Sequence, residues 1–216
     1  TLIHPDVLII GGGSAGIAAA KGAAETGAKV VLLEKNTILG GKATAAYVGT
    51  VCGLYYRNDD PVVKYAVDGF PRIFAEKLQI LSNSSPFFYN NGLRFLPYDH
   101  FAFAQLCDEV VQQSKVAVYL DAHLMQVERE DHRIRKIGAM IHNRAVTFHP
   151  GVVIDTSGEC IVARLAGIDT FENQTYQAAA QTFIMTDIAT NDEQKLRLSL
   201  LRSIRKGIDG GLYSQH

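Results

Sequence analysis

The stretch DVLIIGGGSAGIAAA, Asp6 to Ala20, decides how this chain folds. Val7 to Ile10 is an apolar run that enters a glycine cluster. There Gly11, Gly13 and Gly16 have the spacing G-x-G-x-x-G. The segment that follows, Ser14 to Gly27, is rich in alanine, the best helix former. Its small side chains suit a helix lying close on a sheet. A second apolar run, Val30 to Leu33, ends on the acid Glu34, and continuous apolar runs mark parallel strands covered on both faces. In this strand–turn–helix–strand context each glycine has a physical task. Gly11 permits the tight turn, Gly13 lets backbone approach a pyrophosphate, and Gly16 allows close helix–strand packing. Ser14 and Ala15 open the helix, whose N-terminus offers unpaired N–H groups and a positive dipole end to phosphates. An acid about 20 residues further on accepts hydrogen bonds from ribose hydroxyls, which is the place of Glu34. A carboxylate there repels a phosphorylated ribose, which disfavours NADP, although Lys35 beside it weakens that preference.

Outward from this core, Lys35 to Tyr56 reads as a loop, a second glycine feature (Gly40-Gly41) and a small-residue segment. The chain makes a second close approach there, with the Thr44 hydroxyl in reach. Residues 1 to 5 are a lead-in. Val63, Val67, Phe70, Ile73, Phe74 and Leu78 have helical spacing, which predicts a helix from Asp60 to Leu81 that Pro71 breaks or restarts. Ser85 to Tyr98 carries two β-rich runs around Asn91-Gly92, a hairpin signal. Asp99 is placed to cap a helix from His100 to about Ser114. Then come a strand, Val116 to Leu120, an antiparallel meander ending near His149, a buried strand within Gly151 to Gly158, and a short helix from about Cys160 to Ala166. The tail has a β-prone run, AAQTFIMTDI (179–188), and an amphipathic helix from Asp192 to about Lys206.

With 216 residues the chain can bury about 70% of its unfolded surface and needs no covalent staples. Lys and Arg number 21 against 22 Asp and Glu, so bulk charge points to no polyanion or nucleic-acid partner. No apolar run reaches the length of a membrane span. The cysteines, Cys52, Cys107 and Cys160, form no C-x-x-C pair, which argues against a dithiol reductase and suits a reducing, cytoplasmic setting. All three read as structural, with Cys52 expected to be a small buried side chain. The seven histidines are scattered and support no metal site.

GGGSAG (11–16), Glu34-Lys35, LGGKAT (39–44), VYLDAHLMQVERE (118–130) and VVIDTSGE (152–159) occur in the order found in one group of flavoproteins. The sequence resembles the FAD-dependent oxidoreductases of the glutathione-reductase-type, two-dinucleotide-binding-domain class, over about residues 6 to 167. The resemblance implies an α/β fold: a Rossmann-like FAD-binding domain with a parallel central sheet and an antiparallel β meander. That domain would occupy residues 1–167, with an inserted segment at about 56–98, and residues 168–216 would start a second, substrate region. It implies FAD as cofactor and a hydride taken from a small organic substrate. Gly11, Gly13, Ser14, Ala15 and Gly16 would hold the pyrophosphate, and Glu34 with Lys35 the adenosine ribose. Gly41, Lys42, Ala43 and Thr44 would line the ribityl chain. The backbone of Leu124 would meet the adenine edge, and Ser157 and Gly158 would close over the dinucleotide. No catalytic residue is legible. Members normally run further and return with a Gly-Asp pair, which this sequence lacks. The expectation is therefore an N-terminal part, completed by a further C-terminal region or a partner subunit. The alternatives are a non-catalytic dinucleotide-binding module, a subunit of a larger flavoprotein complex, or an NAD-linked, thiazole-synthase-like enzyme.

Overall fold

The computed structural model describes residues 1–58, 62–171, 175, 176, 180, 182, 184, 186–188 and 192–212. The chain divides into two units, Thr1–Ala180 and Gln181–His216.

The first unit is built on a parallel sheet. Strand β2 (Val7–Ile10) lies beside β3 (Val30–Leu33), with β11 (Val152–Asp155) and β7 (Ala117–Tyr119) outside them in the order β11-β2-β3-β7. The register places Ile9 beside Leu32 and Ile154. Alternate residues of these strands feed two cores, as expected for strands buried on both faces. Ile9, Val30 and Leu32 pack with helix α1 (Ser14–Glu25) and helix α4 (His100–Gln113). Leu8, Ile10, Val31 and Leu33 pack on the other side against Val127, Ile137 and Phe148 of the meander. Helix α4 is capped by Asp99, whose carboxylate accepts the Ala102 N–H at 2.9 Å. The meander comprises β8 (Ala122–Glu130), β9 (Arg133–Ile141) and β10 (Arg144–Phe148). Its fourth strand is β1 (Leu2–Ile3), parallel to β10 with Ile3 beside Phe148. The lead-in is thus a strand. Two residues carry no periodicity, and the partner lies far along the chain.

A small sheet, β4-β6-β5, unites β4 (Thr50–Cys52), β5 (Phe87–Tyr89) and β6 (Leu93–Pro97). The hairpin turn is where expected, with Asn91 at φ 65° and Gly92 at φ 72°. Two expectations are corrected here. The helix predicted from Asp60 begins only at Phe70: α3 is Phe70–Leu81, with Pro71 in its first turn, where a missing N–H costs nothing. The preceding described residues are irregular, with bends at Val62 and Ala66, and pair back on residues 54–56 through an isolated bridge of Tyr65 to Tyr55. Ala66 N–H donates to Leu54 O at 2.8 Å and Tyr56 N–H to Lys64 O at 2.9 Å. The rings of Tyr55 and Tyr65 meet at 5.0 Å. These long-range bonds satisfy backbone groups that a helix would have used. The second correction is Cys52, which is exposed. Val51, its neighbour on β4, packs on the core, so Cys52 alternates onto the opposite, solvent-facing side of the strand.

Cys107 behaves as expected and is fully buried on α4. Burial, with the Asp108 carboxylate adding to it, pushes its thiol up to about 12. A thiol that ionises later in the folded than in the unfolded chain stabilises fully below its ordinary pKa of about 8.5. That contribution is lost as pH rises toward 12. We expect the melting temperature to fall across this window, and less steeply in Cys107→Ala. We also expect a thiol reagent at neutral pH to modify Cys52 and Cys160 rapidly, and Cys107 only after denaturation.

In the second unit the helix α6 (Glu193–Asp209) is capped by Asp192, which accepts the Lys195 N–H at 3.0 Å. Of the β-prone run at 179–188, residues 180, 182, 184 and 186–188 are described and none of them lies in a strand; the others lie outside the described residues. Among the described residues no helix is long and apolar enough to cross a membrane.

Candidate functional site

The site forms at the carboxyl ends of β2, β3 and β11, where crevices of open parallel sheets bind ligands. Backbone bonds continue one residue past the strands and fix the loops: Gly11 N–H to Leu33 O (2.8 Å), Thr156 N–H to Ile10 O (2.8 Å) and Glu34 N–H to Tyr119 O (2.9 Å). The Thr156 hydroxyl lies 2.9 Å from Ile10 O and 2.8 Å from Gly11 O, tying β11 to the glycine turn.

Each glycine of the motif meets a different constraint. Gly11 has φ 105°, and a Cβ there would lie 2.5 Å from Thr156 O. A Cβ on Gly16 would lie 1.8 Å from Gly11 O, so the helix rests directly on the turn. Gly13 differs. Its φ of −73° suits any residue, and a Cβ would find only Gly41 Cα at 3.8 Å. Gly13 is also the N-cap of α1 and supplies no capping side chain, and the first turn holds no acid. The opening N–H groups of α1 lack intrahelical acceptors and so remain available to an anion.

The second glycine loop packs on the first. Gly40 N–H donates to Gly12 O at 2.9 Å, and Gly13 and Gly40 form a parallel bridge. A Cβ on Gly41, at φ 60°, would lie 2.9 Å from Gly13 Cα. The close approach expected of Gly40-Gly41 is therefore first of all an approach to the first glycine turn. Helix α2 (Lys42–Ala45) follows. Lys42 is exposed and Ala43 half-buried, and the Ala43 carbonyl accepts the Tyr98 hydroxyl at 3.2 Å. Thr44 is buried and its hydroxyl donates to Leu39 O at 2.7 Å, so this donor braces its own loop.

Glu34 is only 4% exposed. One carboxylate oxygen accepts the Gly12 N–H at 2.6 Å; the other accepts the Asn36 backbone N–H at 2.8 Å and its side-chain amide at 2.7 Å. A carboxylate offers about four acceptor positions, so one remains. Glu34 borders a cleft of about 200 Å³ together with Gly11, Lys35, Leu124, Ser157 and Glu159. Five of these six were singled out in the sequence; Glu159 was not. Its carboxylate meets Lys35 Nζ at 3.1 Å in an exposed pair. Leu124 lies on β8, an edge strand of its sheet.

Asp155, also unforeseen, organises the far wall. One oxygen accepts Ser157 N–H at 3.0 Å and its hydroxyl at 2.6 Å, and the other accepts Val162 N–H at 2.9 Å. Val162 belongs to α5 (Ile161–Leu165). Gly158, at φ 76°, lies exposed in the same turn. Replacing Asp155 by Ala strands these donors in a partly exposed turn. We expect a loss of about 1–2 kcal/mol in chemical denaturation, with weaker nucleotide binding.

Residues 6–206, nearly the whole chain, match the family described as FAD dependent oxidoreductase. The chain belongs to that family. The family's cofactor is FAD, and the cradle fits a dinucleotide on its own geometry: two glycine turns packed together at the start of α1, helix N–H groups without intrahelical acceptors, and a nearly filled acid bordering a cleft. The chain is 26% identical over 174 residues to the thiamine thiazole synthase of Methanococcus vannielii, covering 76% of this chain and 61% of that protein. Among solved structures it is similar in fold to THI4 of Thermovibrio ammonificans. That likeness has a TM-score of 0.52 at 16% identity and covers 77% of this chain and 64% of that one. The OxyS anhydrotetracycline hydroxylase of Streptomyces rimosus gives 0.54 at 14% identity, covering 77% and 34%. The chain thus spans less than two thirds of the length of each. Among the described residues no group of three or more His, Cys, Asp or Glu could hold a metal.

Proposed function

We propose that the chain is the FAD-binding, N-terminal part of an oxidoreductase of the glutathione-reductase-type class. It works on a small organic substrate in the cytoplasm, with a C-terminal region or partner subunit completing the substrate site. FAD, when bound, supplies a two-electron acceptor for a hydride equivalent leaving that substrate. The chain's own residues bind and orient it. The N–H groups of Ser14, Ala15 and Gly16 take the pyrophosphate, Glu34 uses its remaining acceptor position on the adenosine ribose, and Lys35, Leu124, Ser157 and Gly158 enclose the adenosine. Gly41, Lys42, Ala43 and Thr44 shape the path of the ribityl chain. On this reading residues 1–167, with 56–98 inserted, are the cofactor domain, and 168–216 begin the next region.

The bridge between Gly13 and Gly40 is the observation that supports the reading, because it holds the second glycine turn against the first, beside the N-terminus of α1. The test is anaerobic addition of candidate donors to the FAD-loaded chain. Loss of the yellow flavin absorbance with one of them supports an enzyme, and a chain that stays yellow with every donor supports the non-catalytic module. Similarity to a thiamine thiazole synthase favours a second reading, an NAD-linked, thiazole-synthase-like enzyme. Tighter binding of NAD than of FAD would select it.

A further inference from the structure

Beside the cradle, and separate from the adenosine cleft, α1, α3, α4, β4 and β6 enclose a cavity of about 190 Å³. Its floor is made of buried Ile17, Leu54, Leu78, Leu96 and Phe103, and its rim of half-buried or exposed Ser14, Ala18, Phe70 and Phe74. No charged residue lines it; its polar side chains are Ser14 and Cys107. Protein interiors are close-packed, with few voids larger than a water molecule. Water is a poor filler here, because a buried water needs two to four polar partners. We propose that this cavity binds the hydrocarbon part of a small organic ligand, a single ring or a short chain. An apolar cavity of about 150 Å³ accepts benzene, so this one holds roughly six to eight heavy atoms.

The position of Ser14 links the cavity to the cradle. It is the first residue of α1, beside the turn that takes phosphate, and it also stands on the cavity's rim. A ligand with its apolar end inside would leave its polar end at the Ser14 hydroxyl, next to the cofactor. The thiol of Cys107, held protonated by burial, is a passive wall and not a nucleophile. That the occupant is the substrate's apolar end rests on the oxidoreductase reading above; that the cavity binds such a group does not.

Toluene titrated calorimetrically into the 216-residue chain, without FAD, tests the binding. One saturable site is expected. Ala75→Leu fills the floor from a buried position on α3, and should weaken toluene at least about tenfold while keeping or raising the melting temperature. Ala18→Leu, at the partly exposed rim, repeats the test should the first variant fold poorly. Absence of saturable binding, or unchanged affinity in both variants, would overturn the proposal. FAD titration of the same proteins separates the two ideas. Toluene binding without FAD binding leaves the cavity standing and removes the oxidoreductase reading.

Discussion

A Gly13→Val chain folds with a melting temperature close to that of the parent and binds FAD about a hundredfold more weakly, a loss of roughly 2.7 kcal/mol. The backbone at Gly13 (φ −73°, ψ −176°) is open to valine without strain, and the nearest atom to a new Cβ is Gly41 Cα at 3.8 Å. Valine is a poor N-cap, which costs a few tenths to about 1 kcal/mol relative to glycine. In a chain of this length that lowers melting by only about 2–4 °C. The side chain would stand at the N-terminus of α1 beside Gly41, where the proposed reading puts the pyrophosphate. Thermal melting and an FAD fluorescence titration read the two effects separately. Unweakened binding in this variant would remove the pyrophosphate role of Gly13.

The opposite outcome is expected three residues on. Gly16→Ala adds one methyl group 1.8 Å from Gly11 O, a backbone atom of the glycine turn, and 2.9 Å from the Thr156 hydroxyl that ties β11 to that turn. The change should cost more than about 4 kcal/mol, in the range reserved for severe overpacking, and leave little folded protein at ambient temperature. Helix propensity works against this loss, since alanine in place of glycine gains about 1 kcal/mol within a helix. Gly22→Ala isolates that gain. It lies on the same helix, with nothing within 4 Å of a new Cβ, and should raise stability by about 0.5–1 kcal/mol. Urea denaturation of both variants makes the comparison. Equal stabilities would show that α1 does not rest on the glycine turn as described.

What could be read from the sequence was what short-range pattern specifies. The strand–turn–helix at Val7 to Glu25, the Asn91-Gly92 hairpin, the Asp99 cap and the meander each depend on neighbours within a few residues. The elements that escaped depend on distant partners. Leu2 and Ile3 are a strand only because β10 lies beside them. Val63 and Val67 keep helical spacing, yet the backbone around them bonds to residues 54–56. At the site, Glu34 was recognised by its distance from the glycines, but its bond to Gly12 N–H was not, because a motif records position and not side-chain direction. Asp155 and Glu159 could have been noticed. Asp-x-Ser and the acid that follows lie in the Val152–Glu159 stretch, and an Asp two residues before a turn serine is a frequent acceptor for it. The Thr44 hydroxyl, expected near the cofactor's path, donates instead to Leu39 O, a partner only the folded loop supplies.

On the proposed reading this chain alone holds the adenine and pyrophosphate half of FAD, with the diphosphate at the N-terminus of α1. Equilibrium titration of the purified, ligand-free chain with FAD, followed by displacement with ADP, tests it most directly. One FAD should bind per chain, and ADP should compete for the same site, since both present the same diphosphate to the N-terminus of α1. A chain that binds neither FAD nor ADP would contradict the account.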